Sequence, residues 1–121
     1  MTIPHQLRWT VWLCAVIVWT GLLLTPGNYL PPQPELPYLT AGKLLHMVAY
    51  SGLAASFGWV SSQPKIRNWA ISGLIIHGGL TELIQLTIPN RDGSLRDWAL
   101  DTVSVLIGWV VVRPWWPRNN R

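Results

Sequence analysis

Charge is scarce in this 121-residue sequence: Asp, Glu, Lys and Arg together make up 12% of it, about half the share of an ordinary soluble domain. Fourteen charges, nine basic and five acidic, leave too little polar surface for a soluble domain of this size. A single cysteine, Cys14, excludes a disulfide scaffold. A hydrophobic content of 50% excludes a disordered chain. No internal repeat and no linker divides the sequence, so residues 1–121 are read as one domain. No G-x-S-x-G or H-E-x-x-H motif is present, and no catalytic residue, metal or cofactor is assigned. What is left is a small integral membrane protein. Its mean hydropathy of +0.26 is held down by ten Pro and nine Trp.

The spacing of the charges carries this reading further. None occurs from Trp9 to Pro34 or from Leu44 to Pro64; only Glu82 falls between Asn68 and Asn90, and only Asp101 between Trp98 and Val112. A spanning helix needs about 20 mostly apolar residues. Four are expected, at roughly 9–25, 43–61, 68–88 and 97–116. A soluble bundle would need a polar face on each helix, and Trp9–Leu24 offers only Thr10 and Thr20. Thr25-Pro26-Gly27 is not a small-residue cleavage site, so the first span reads as a retained helix. Residues 26–42 hold five prolines and read as a stiff, extended crossing. Residues 61–67 and 89–96 read as short turns, the second marked by Asp92-Gly93. The fold expected is therefore all-α, an integral membrane bundle of four transmembrane helices.

Basic residues set orientation. With both termini cytoplasmic, Arg8, Lys65, Arg67, Arg113, Arg118 and Arg121 lie inside, six of the nine. Trp9, Trp59, Trp69, Trp115 and Trp116 then mark the inner boundary, and Trp98 with Tyr38 the outer one. All five acids, Glu35, Glu82, Asp92, Asp97 and Asp101, fall on the outer half together with Lys43, Arg91 and Arg96. The basic balance is thus a topology signal. Nucleic acid is not an expected partner, because no surface here is large enough to hold a duplex.

Ionisable groups inside a span are functional hypotheses by default. Lys43, His46 and Tyr50 stand at i, i+3, i+7 and share one helical face. Glu82 and Gln85 share another, and Asp97, Asp101, Ser104 and Gly108 form a third stripe. Counted from Pro89, Glu82 is the deepest of the group, about 10 Å in. Ser104/Gly108 and Gly52/Ser56 are small-xxx-small pairs that allow close helix approach. The polar faces are expected to look inward at one another, with the Trp and Leu faces outward. The plain alternative is interhelical hydrogen bonding at about 1 kcal/mol per bond, which is also the role expected of His77.

Lys43-Leu44-Leu45-His46-Met47-Val48-Ala49-Tyr50 resembles the K-x-x-H-x-x-x-Y opening of the VanZ-like family of small bacterial membrane proteins. Thr81-Glu82-Leu83-Ile84-Gln85 with Pro89-Asn90-Arg91 resembles that family's E-x-x-Q…P-x-R block. Ser94-Leu95-Arg96-Asp97 and the Asp101…Gly108 stretch are similar to its S-x-x-D…N-x-x-G-x-x-x-G tail, with Asp101 where Asn is common and Ser104 where Gly is common. The resemblance implies a multi-pass protein of the bacterial cytoplasmic (inner) membrane and cell envelope. It does not imply an activity.

The function expected is binding or modulation of an anionic lipid or a lipid-linked cell-wall precursor at the outer leaflet. Lys43, Arg91 and Arg96 would grip a phosphate, and His46, Tyr50, Glu82, Gln85, Asp97 and Asp101 would shape the site. Two alternatives stand beside it: a structural or assembly partner without ligand, including an oligomer, and an enzyme acting on a lipid head group with His46 or Glu82 as acid–base. The residue types of Glu82, Asp97, Asp101 and His46 suit a divalent ion, but their spacing on three helices assigns none.

Overall fold

The computed structural model describes residues 2–26, 29, 41–89 and 93–115. Four α-helices follow one another: α1 (His5–Leu24), α2 (Ala41–Val60), α3 (Pro64–Gln85) and α4 (Leu95–Val112), with a short 3-10 turn at Arg113–Trp115. No strand occurs among the described residues. The all-α class is as expected, and helices of 18 to 22 residues measure about 27–33 Å at 1.5 Å per residue. Among the described residues, by length and composition together, only α1 is apolar enough to cross a membrane, where four spans were expected. The reason is local: α2, α3 and α4 carry glycines, hydroxyls and ionisable groups that lower their mean apolarity, some buried, such as Glu82, Asp101 and Ser104, and some exposed, such as Gly52, Ser56, Lys65, Asn68 and Arg96.

The helix ends are set by backbone chemistry, and they differ from the expected bounds by one to four residues. Pro64 opens α3 at a position where its missing N–H would have had no partner anyway. The Ser94 hydroxyl accepts from the Asp97 N–H at 3.0 Å and caps α4, and Asp97 adds an acid to the first turn. Arg8 closes α2 from outside: its Nη1 donates to the Trp59 carbonyl at 3.2 Å, and its guanidinium lies 5.9 Å from the Trp59 ring centroid. Counting charge-free residues starts α3 at residue 68, but Lys65 and Arg67 sit on its first turn without interrupting it. At the other end α3 stops at Gln85, and Thr87 and Ile88 donate back to Ile84 and Gln85 in tightened turns.

Contacts between helices fix their directions. Trp12 on α1 donates to Leu53 on α2, and Arg8 reaches Trp59, so α1 and α2 are antiparallel. Ile75 and Glu82 on α3 meet Trp98 and Ser94 at the start of α4, so those two are antiparallel as well. Lys43 meets Asp97, His46 meets Asp101, and Ser51 meets Gly108, so α2 and α4 run parallel. This last pair makes the most extensive interface in the bundle. Gly108 is required there: a Cβ at this position would collide with the Ser51 backbone carbonyl. Gly93 serves the same purpose against the Glu82 carbonyl at the end of α3. The Gly52/Ser56 pair does not: both residues are exposed, and a Cβ on Gly52 would meet open space. A small-xxx-small spacing names a smooth face without saying which neighbour covers it.

The interior is apolar at its centre, built from Trp12, Trp19, Leu23, Tyr50, Phe57, Leu74 and Val105. Trp12 and Trp19 are buried, against the expectation that the Trp faces look outward. Each shields other rings, Trp12 edge-on to Phe57 at 4.9 Å and Trp19 edge-on to His46 at 5.4 Å. Trp59, Trp69 and Trp115 are exposed, at the end of the bundle where Arg8 lies. Trp98 is half-buried between α3 and α4, its indole N–H donating to the Ile75 carbonyl at 2.9 Å. Tyr38 and Trp116 lie outside the described residues.

Candidate functional site

Three helices deliver the polar stripes to one end of the bundle. The α2 stripe meets the α4 stripe residue by residue. Lys43 Nζ stands 3.6 Å from Asp97 Oδ1 at the partly exposed rim. One turn further in, His46 Nδ1 stands 3.3 Å from Asp101 Oδ1. This pairing follows from sequence spacing: residues three apart on α2 and four apart on α4 each advance about one helical turn, so two parallel helices keep them in register.

Glu82 enters from α3, and one of its oxygens, Oε2, accepts the Ser94 N–H at 2.9 Å. It thereby ties the end of α3 to the first residues of α4. One ligand atom from each of His46, Glu82 and Asp101 lies within 4.8 Å of the others. Glu82 is 5% exposed and Asp101 2%. Because α3 ends at Gln85, Glu82 sits in its last turn and is not the deepest member of the group. Asp101, six residues into α4, lies about 9 Å along it, and its Oδ2 is buried without a hydrogen-bond partner.

Beneath this cluster lies a second polar layer. The Tyr50 hydroxyl meets His77 Nδ1 at 2.9 Å, and the Thr20 hydroxyl meets His77 Nε2 at 2.8 Å while also donating to the Val16 carbonyl at 2.7 Å. His77 therefore joins α1, α2 and α3, which is the packing role expected of it. Gln85 Nε2 donates to the Leu23 carbonyl at 2.8 Å, so its amide fastens α3 to the end of α1 and does not line the cluster.

The expected site residues thus divide. His46, Glu82 and Asp101 converge; Lys43 and Asp97 pair at the rim; Tyr50 stands one layer below; Gln85 serves the α1 contact. Arg96 is exposed on the first turn of α4 and forms no ion pair or hydrogen bond with the described residues. Arg91 lies outside the described residues. Two contributors act in ways the sequence did not announce, although Ser94 stands in the block that resembles the S-x-x-D motif. Trp19 covers His46 and edges Tyr50 at 6.1 Å, although it stands in a charge-free apolar run. Ser94 contributes a backbone N–H, which no side-chain pattern announces.

Chemically, the arrangement is a buried cluster of two carboxylates and an imidazole, with the Lys43–Asp97 pair at its rim. No protein-family model, curated protein or solved structure matches the chain.

Proposed function

We propose that the chain is a multi-pass membrane protein of the bacterial cell envelope, with four helices crossing the inner membrane and both termini in the cytoplasm, whose outer end binds a phosphate-bearing head group. The observation that carries this reading is an apolar exterior on all four helices together with polar groups buried inside. Ile17, Val18, Val48, Ile76, Leu83 and Val110 are each more than half exposed and represent all four helices, while Glu82, Gln85, Asp101 and Ser104 are buried. Isolated apolar residues are normal on a soluble surface, but large apolar side chains exposed on all four helices, around a core that is apolar at its centre and buries two carboxylates, suit lipid as solvent. The alternating helix directions suit four successive crossings. The resemblance of the Lys43, Glu82 and Asp101 blocks to the VanZ-like family supports the same architecture.

The head-group reading rests on the mouth of the site. Lys43 and Arg96 stand at the α2 and α4 ends, where a lipid phosphate at the outer leaflet would lie, and Arg suits bidentate phosphate contact. An anionic phospholipid and a lipid-linked cell-wall precursor share this chemistry. The test is lipid retention by mass spectrometry of protein purified from nanodiscs of phosphatidylglycerol, phosphatidylcholine or phosphatidylcholine doped with a polyisoprenyl phosphate. Retention of the phosphatidylglycerol or polyisoprenyl phosphate, reduced about tenfold in Lys43→Ala/Arg96→Ala, is expected; which of the two is retained identifies the source. Equal retention of all three lipids, unaffected by the double substitution, would leave a structural or assembly role as the better reading.

A further inference from the structure

We propose that His46, Glu82 and Asp101 form a binding site for one divalent transition-metal ion of the Zn²⁺ or Mn²⁺ class. The inference goes beyond the head-group reading and does not need it, because it stands on the interior cluster and not on the cations at the mouth.

The ligand set comes first. Each of the three residues offers one donor atom within 4.8 Å of the other two, and the three arrive on three different helices. Donors about 2.1 Å from a common ion lie about 3–3.5 Å apart, so an ion draws the three together by an ångström or so. His46 Nδ1 and Asp101 Oδ1, at 3.3 Å, already stand at that separation, so the adjustment falls to Glu82.

Asp101 supplies the second, independent observation. It is 2% exposed; its Oδ1 faces His46, and its Oδ2 is buried with no hydrogen-bond partner. A buried carboxylate oxygen left bare is rare, because desolvation without a partner is costly. A cation in the cluster supplies that partner.

Charge balance points the same way. Two ionised carboxylates and a neutral imidazole carry a formal charge of −2, which a divalent ion cancels. Among the described residues neither Glu82 nor Asp101 is ion-paired with a lysine or arginine; the Lys43 ammonium is directed to Asp97 at the rim. The supporting shell is present as well. Ser94 N–H holds Glu82 Oε2 at 2.9 Å, and the Trp19 ring stands edge-on to His46 at 5.4 Å, so two of the three donors are oriented by neighbours. One imidazole with two carboxylates suits a first-row divalent ion better than Mg²⁺ or Ca²⁺, which favour all-oxygen sites. Three protein ligands also leave coordination positions open for water or a phosphate oxygen.

The experiment is titration of the chelator-stripped full chain in detergent with ZnCl₂ and MnCl₂, followed by calorimetry and by metal analysis after dialysis. Trp19 adds an optical readout: Mn²⁺ bound beside His46 quenches its fluorescence, and that component disappears in Trp19→Phe. One ion per chain is expected, with affinity at least tenfold weaker in Asp101→Asn and in Glu82→Gln. Helical circular dichroism checks that each variant is folded. If Asp101→Asn fails to fold, Glu82→Gln and the Trp19 quench in the unsubstituted protein decide the matter. No saturable binding up to about 100 µM, some five orders of magnitude weaker than a nanomolar site, overturns the proposal. So does binding that is unchanged in the folded variants, which would mark an adventitious ion. Because the titration is done without added phospholipid, metal binding with no lipid preference leaves this site standing and removes the head-group reading, and lipid preference without metal binding does the reverse.

Discussion

Adding one methyl group at either of two glycines should move stability in opposite directions. Gly108→Ala puts a Cβ onto the Ser51 carbonyl, where α2 and α4 run closest. The obstructing atom is backbone, so no rotamer change relieves it and the two helices must separate. Overpacking of this kind costs about 1–3 kcal/mol. Gly52→Ala puts the same methyl into open space on the outer face of α2. Both substitutions gain the same helix propensity, about 0.8–1.0 kcal/mol for Gly to Ala, so that contribution cancels in the comparison. The two variants should therefore differ by about 1–3 kcal/mol, a factor of about 5 to 150 in the unfolding equilibrium. Reversible unfolding in mixed micelles, followed by the near-ultraviolet signal of the buried Trp12 and Trp19, measures it. Equal shifts for the two variants, or a Gly108→Ala protein more stable than Gly52→Ala, would refute the parallel α2/α4 contact and with it the register that pairs Lys43 with Asp97 and His46 with Asp101.

Cys14, exposed on the outer face of α1, should resist a membrane-impermeant maleimide in intact bilayers and react once the protein is denatured; ready labelling in native vesicles would contradict the membrane reading. A cysteine placed at Ser62 in the turn between α2 and α3 should be protected in intact cells and labelled after lysis, and labelling in intact cells would reverse the topology. Tyr50→Phe removes the hydroxyl that meets His77 and should destabilise by about 0.6–1.7 kcal/mol in the same unfolding assay. Lys43→Ala breaks an ion pair whose partners are 36% and 21% exposed, so its effect on stability should stay below about 1 kcal/mol and its main consequence should appear in lipid retention.

Some of this arrangement was legible in the sequence and some was not, for physical reasons. The Lys43, His46, Tyr50 stripe and the Asp97, Asp101 stripe can be read because helical phase alone puts each set on one face. That α2 and α4 then meet in register depends on their parallel course, which follows from an even number of chain reversals between them. Depth was misread at Glu82, because apolarity continues through Leu86 and Ile88 while the α3 helix stops at Gln85. The role of Gln85 was misread because an amide donates equally well to a ligand or to a backbone carbonyl, and only the position of Leu23 decides between them. Trp19 gave no signal, since an apolar helix with aromatics all round does not declare which ring turns inward. The spans themselves were read from missing charge. Missing charge marks where lipid is tolerated, but the polar and small residues of α2, α3 and α4, buried and exposed alike, leave only α1 among the described residues apolar enough by composition.

The parallel pairing of α2 and α4 also bears on the order in which the protein is made. Asp97, Asp101 and the Ser94 N–H belong to α4 and its cap, made after α2 and α3, so the groups they meet on those helices emerge earlier. Until α4 arrives, His46 and Glu82 must wait with their partners missing, in whatever environment holds the nascent bundle. α4 therefore satisfies the helices made before it, and a chain truncated before Ser94 would leave the ribosome with His46 and Glu82 unmatched.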